Sequence, residues 1–82
     1  MYKVQVERKA QKKLAKIHSP YFSNIKTAIL NLADNPRPNG CKKLKGRDAF
    51  RIRIADYRII YEIHNNILLV LVIDLGHRKD IY

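Results

Sequence analysis

The sequence predicts an α+β domain in which an N-terminal strand and an antiparallel two-helix hairpin precede a three-strand antiparallel meander, the strands forming one four-stranded sheet. Three observations carry this. Tyr2, Val4 and Val6 alternate with Lys3 and Gln5, the period of a half-buried strand. Residues 7–33 then place apolar side chains at helical spacing, interrupted at His18-Ser19-Pro20. From Phe50 onward the chain reads as extended runs separated by Ala55-Asp56 and Asn65-Asn66. With 82 residues and no repeat or linker, residues 1–82 form a single small domain with one modest core.

The first helix is expected over Glu7 to Ile17, with Ala10, Leu14 and Ile17 inward and Arg8, Lys9, Lys12, Lys13 and Lys16 around them. Such a charge run ordinarily makes a solvated face. Ser19 is suited to cap the second helix and Pro20 to fill its first turn. Ile25, Ala28, Ile29, Leu32 and Ala33 form the buried stripe, and Asn35-Pro36 ends it. His18 sits at the bend, where a surface turn role is expected. Residues 35–47, NPRPNGCKKLKGR, read as a basic loop in which Leu44 plugs into the core.

Phe50 to Ile63, FRIRIADYRIIYEI, is the most informative stretch. A tight turn at Ala55-Asp56 pairs Ile54 with Tyr57, Arg53 with Arg58, Ile52 with Ile59, Arg51 with Ile60 and Phe50 with Tyr61. Opposed residues share a sheet face. Phe50, Ile52, Ile54, Tyr57, Ile59 and Tyr61 therefore line one side, with Arg51, Arg53 and Arg58 on the other. Like charges across a ladder cost up to about 1 kcal/mol, so a hairpin that retains them is expected to meet an anion there.

A two-residue turn at Asn65-Asn66 returns the chain as ILLVLVIDL, apolar on both sides and hence central in the sheet, with the first strand as its other neighbour. Pairing His64 with Ile67 sets Tyr61 opposite Val70, Arg58 opposite Ile73 and Tyr57 opposite Asp74. In that register Ile60, Leu69, Leu71 and Ile73 join the arginine face as an exposed apolar groove, the expected seat of a protein partner.

Seventeen Lys and Arg against seven Asp and Glu give a formal net charge of +10. The resulting field favours nucleic acid or an acidic protein. Cys41 is the single cysteine, so neither a disulfide framework nor zinc spacing is present. The acids Glu62, Asp74 and Asp80 are scattered among bases, and neither a metal nor another cofactor is expected. MYKVQVERK lacks the apolar run of a signal peptide, and residues 67–75 are too few to span a bilayer. A soluble, cytoplasmic protein is the expectation.

The tail GHRKDIY follows the last strand. It is expected beside the Ala55-Asp56 turn, so that His77 and Arg78 join Arg51, Arg53 and Arg58, with Tyr82 returning to the same end; which of His77 and Arg78 points inward stays open. This set suits metal-independent phosphoryl chemistry on RNA. Arginines bind phosphate bidentately and stabilise a charged transition state, and His77 is suited to proton exchange near neutral pH. Lys43, Lys45 and Arg47 extend the basic surface.

The run FRIRIADYRIIYEI, the buried strand after it and GHRKDIY together resemble the RelE/ParE superfamily of bacterial toxins, and the preceding strand, helices and basic loop follow the same order over essentially the whole chain. The RelE branch is the more similar. That resemblance implies a ribosome-dependent mRNA endoribonuclease that cuts by 2′-hydroxyl attack, is neutralised by a cognate antitoxin, and contacts operator DNA through the toxin–antitoxin complex. The ParE branch instead implies DNA gyrase inhibition, and a catalytically inert member that binds only antitoxin and DNA is a third possibility. By position, the RelE resemblance gives Arg58 and Arg78 the part of phosphate and transition-state clamps, Arg51 and Arg53 that of RNA contacts, and Tyr82 that of a group that stacks on or orients the substrate. Arginines stand where the best-known pattern has lysines. Because an arginine is a poor general base, His77 becomes the candidate for proton transfer.

Overall fold

The computed structural model describes residues 1–77. Its elements run β1 (Lys3–Val6), α1 (Arg8–Ala15), α2 (Tyr21–Asn31), β2 (Lys42–Lys43), β3 (Phe50–Ile54), β4 (Tyr57–His64) and β5 (Leu69–His77). The sheet has five strands in the order β1-β5-β4-β3-β2. All pairs are antiparallel except β1 with β5, which is parallel. The α+β class and the central position of β5 match expectation. The fifth strand is β2, inside the segment expected to be a loop. Two consecutive lysines carry no alternation to reveal it, and pairing with Arg51 and Phe50 alone makes it a strand.

One face of the sheet carries both helices. Ala10, Ile25, Ile29 and Leu32 pack against Ile52, Ile59, Tyr61, Val70, Val72 and Leu75, with Val4, Val6, Leu14 and Ile17 around them. A fully buried Ile or Val of this kind contributes about 1.5–3 kcal/mol. Pro20 occupies the N-cap of α2, and no side chain caps that helix, so Ser19 does not take the role its type suggested. Tyr61 lies fully within the core and its hydroxyl donates to the Pro36 carbonyl at 2.7 Å. Burial pushes that phenol above the ordinary tyrosine range.

The β3–β4 register is the one expected, including Arg53 opposite Arg58. The β4–β5 register is not. Residues 65–67 form a 3₁₀ turn and Leu68 closes it in the left-handed region at φ 51°. The connection therefore spans four residues, and Tyr61 meets Val72 rather than Val70. A β-bulge follows, leaving Ile73 unpaired between Val72 opposite Tyr61 and Asp74 opposite Ile60. Beyond it Ile59 pairs with Leu75, Arg58 with Gly76 and Tyr57 with His77. The longer turn moves the register by two residues and preserves parity; the bulge adds one and reverses it.

On the other face the Leu44–Ala49 segment closes as a short hairpin, with Leu44 N–H donating to the Ala49 carbonyl at 2.8 Å. Ala49 and half-buried Leu44 cover Ile60 and Ile73, together with Leu71. Ile60 and Ile73 are only 6% and 8% exposed. The expected open groove of Ile60, Leu69, Leu71 and Ile73 is thus a second small core at two of its four positions. Leu69 and Leu71 are half-buried.

Candidate functional site

The hairpin places its arginines by simple alternation. Arg51 and Arg53 project from β3 on the face away from the helices, and Arg58 from β4 stands directly across from Arg53. Lys42 pairs with Arg51 and shares that face. Arg53 is exposed, Arg51 and Arg58 are half-buried, and the Arg58 Nε is shielded from solvent. On the far side of Arg58 the partner is Gly76, which brings no side chain into the column. The result is a row, Arg53, Arg58 and Gly76, in which two guanidinium groups stand side by side and the third residue adds no side chain. Ala55 at the turn has φ 53°, the left-handed region that alanine adopts only at a cost.

His77 does not join this row. Its cross-strand partner is Tyr57, and the imidazole lies edge-on to the Tyr57 ring at 5.7 Å. Tyr57 in turn contacts Tyr21 of α2 at 5.6 Å. His77 therefore belongs to the helix-bearing face, separated from Arg53 and Arg58 by the sheet. The single-residue bulge at Ile73 is the physical cause. Arg78 and Tyr82, expected to complete the constellation, lie outside the described residues.

The expected RNA contacts divide by position. Lys43 pairs with Phe50, shares its face rather than that of Arg51, and lies 3.8 Å from Asp48. Lys45 and Arg47 are exposed on the loop of the β2–β3 hairpin. At the β1 side of the sheet, Asp74 accepts a 2.7 Å hydrogen bond from Lys13 and faces Lys9 at 3.5 Å. Burial alone would raise its carboxyl pKa. The hydrogen bond and charge of Lys13, with the charge of Lys9 and the Leu75 N–H, outweigh burial and hold it below the ordinary range. No local pattern in the sequence signals this pairing, because it depends on β1 ending opposite Val72 and exposing the next part of β5 to α1.

Among the described residues no three His, Cys, Asp or Glu side chains cluster to hold a metal ion. No helix among them is long and apolar enough to cross a membrane. The site can bind anions and stabilise added negative charge. By strand pairing no described histidine stands on this row, and Asp74, opposite Ile60, shares its face at the next pair on that side from Arg58 and Gly76.

Comparison with solved structures defines the type of fold. The structure is similar to the archaeal RelE–RelB complex from Pyrococcus horikoshii, with a TM-score of 0.85, 24% identity and coverage of 96% of this chain and 97% of that one. It is similar to the intact Escherichia coli RelBE toxin–antitoxin complex at 0.82 and 25% identity, covering 94% and 96%. The RelBE2 complex from Mycobacterium tuberculosis gives 0.82 and 22%, covering 94% and 98%. A RelE-type toxin fold is thus established. The family follows from sequence: the model for the ParE toxin of type II toxin–antitoxin systems matches residues 4–82, and the chain belongs to that family. Comparison with curated proteins gives no match.

Proposed function

We propose that this toxin cleaves messenger RNA on the ribosome without a metal ion. The observation that carries the reading is the opposition of Arg53 and Arg58 across β3 and β4, with Arg51 on the same face. A scissile phosphate seated on this row offsets the repulsion between the arginines. In the reaction the RNA 2′-oxygen attacks its own 3′-phosphorus, the bond to the 5′-oxygen breaks, and a 2′,3′-cyclic phosphate and a 5′-hydroxyl result. The 2′-hydroxyl loses a proton and the leaving oxygen gains one. Arg53 and Arg58 stabilise the extra charge of the pentavalent state, while alignment by the bound message supplies the in-line geometry. His77 has no part in this version of the mechanism. By resemblance, Arg78 is a further clamp and Tyr82 a stacking group. A cognate antitoxin is the expected partner, since the similar RelE structures include complexes with RelB.

A second reading, inhibition of DNA gyrase, is favoured by the ParE family match and by the position of His77 away from the arginines. Primer extension on ribosomes translating a defined message, paired with a gyrase cleavage assay on supercoiled DNA, separates the two. Cuts in the message that disappear with Arg58→Ala support the nuclease. An uncut message accompanied by toxin-dependent gyrase breaks overturns it in favour of the second.

A further inference from the structure

A cleft of about 650 Å³ wraps the outer edge of β3. Its size falls in the range of small-molecule and cofactor sites. Ala28, Asn31 and Leu32 of α2 form one wall, and residues 35 and 38–40 form another. Ile52 and Ile54 supply an apolar floor from the helix-bearing side of β3, while Arg51, Arg53 and Lys42 supply a cationic rim from the other side. Because β2 pairs with β3 only at Phe50 and Arg51, no described strand occupies the edge from Ile52 to Ile54.

The composition points to one chemistry. Apolar surface, three primary amides (Asn31, Asn35 and Asn39) and three cations line the cleft, with no acidic residue among its described lining. A nucleotide presents the complements: an apolar ring face, an edge of donors and acceptors, and a phosphate. The loop wall is held in place before any ligand arrives. Tyr61 donates to the Pro36 carbonyl, Arg37 lies 5.4 Å above the Phe50 ring, and the Asn35 Oδ1 accepts from the Arg37 N–H. That last bond leaves the Asn35 amide nitrogen available as a donor. Gly40 lines the cleft at φ 87°, and a Cβ there would meet nothing within 4 Å, so the backbone borders open space.

We propose that this cleft holds one unstacked nucleotide of single-stranded RNA, its base between α2 and the β3 edge and its phosphate on Arg51, Arg53 and Lys42. The inference rests on the RNA-directed reading and gives it a site for base selection, since the amides meet the base edge while the cations meet the backbone. An extended peptide is the less suitable occupant. The available edge is three residues long, and its rim is more cationic than strand addition requires.

The test is amide NMR of the full chain, titrated separately with each of the four nucleoside 3′-monophosphates, with inorganic phosphate and with uncharged nucleosides. At least one nucleotide is expected to shift the amides of Ala28, Asn31 and Gly40, whereas inorganic phosphate shifts only residues near Arg51 and Arg53. Ala28→Phe fills the cleft from the helix, and Asn31→Leu removes an amide from an exposed position. Each should weaken the nucleotide about tenfold and leave the inorganic phosphate response intact, which also reports that the variant is folded. Silent α2 amides, identical patterns for nucleotide and phosphate, or wild-type affinity in both variants would overturn the proposal. So would α2 shifts produced by a short extended peptide and not by nucleotides. Because binding is read without ribosomes, a chain that binds nucleotide yet leaves messages uncut removes the nuclease reading while the cleft assignment stands.

Discussion

Replacing Arg53 with glutamine should make the fold more stable while weakening its function. Arg53 is exposed and directly opposite Arg58, so its charge opposes folding in the absence of a bound anion. Cross-strand pairs contribute roughly 0.2–1 kcal/mol, and like charges act in the unfavourable direction. Glutamine keeps much of the aliphatic stem and removes the charge, so a gain of about 0.5 kcal/mol is expected. For a domain of this size, 1 kcal/mol moves the melting temperature by about 4–8 °C, which sets the expected rise near 2–4 °C. Salt provides the internal control, because screening weakens the repulsion as ionic strength rises. Thermal melts of wild type and Arg53→Gln should differ most in dilute salt and converge near 0.5 M sodium chloride, roughly where the screening length falls below the spacing of neighbouring side chains. Primer extension on the same samples should show reduced cutting. Equal or lower stability of the variant in dilute salt, with no salt dependence of the difference, would refute the claim that these two charges oppose each other.

Three further outcomes are expected. Ala55→Gly relieves the left-handed turn residue and should raise stability by about 0.5–1 kcal/mol after the entropic cost of glycine, measured by urea denaturation; an unchanged midpoint would contradict it. The lowered Asp74 pKa contributes stability that is fully present above the unfolded value of about 4 and is lost as pH falls through the folded value. Melting temperatures from pH 7 down to pH 2.5 should therefore drop more steeply for wild type than for Asp74→Asn. His77→Phe keeps a ring against Tyr57 and removes proton exchange; ribosomal cleavage by this variant should equal wild type, and its loss would return His77 to the mechanism.

The legibility of the sequence followed the range of the interactions. The pairing of β3 with β4 is decided by a two-residue turn and five alternating positions, so Arg53 and Arg58 could be matched from the residues alone. The pairing of β4 with β5 depends on Leu68 accepting a left-handed conformation that asparagines such as Asn65 and Asn66 adopt more readily. It depends also on an extra residue at Ile73, and an apolar run such as ILLVLVIDL looks the same with or without a bulge. Burial of Ile60 required knowing that Leu44 and Ala49 fold back over it, a contact made by the short segment that follows a two-residue strand with no periodic signal. The Lys13–Asp74 pair and the cleft beside β3 arise from elements distant in sequence, and no local pattern announces either.

The bulge at Ile73 makes β5 a strand with two allegiances. Up to Val72 its facing is dictated by β1 and the helix-bearing core, and after Asp74 it is dictated by the Ala55-Asp56 end of the sheet. One further residue between those points, if not absorbed in the bulge, would exchange the side chains that β5 presents to the arginines and to Tyr57. The hydrophobic core upstream would remain as it is. Leu75, fully buried in the main core, would turn with those side chains, so a change of length here alters the chemistry at the end of the strand and the core beneath it together.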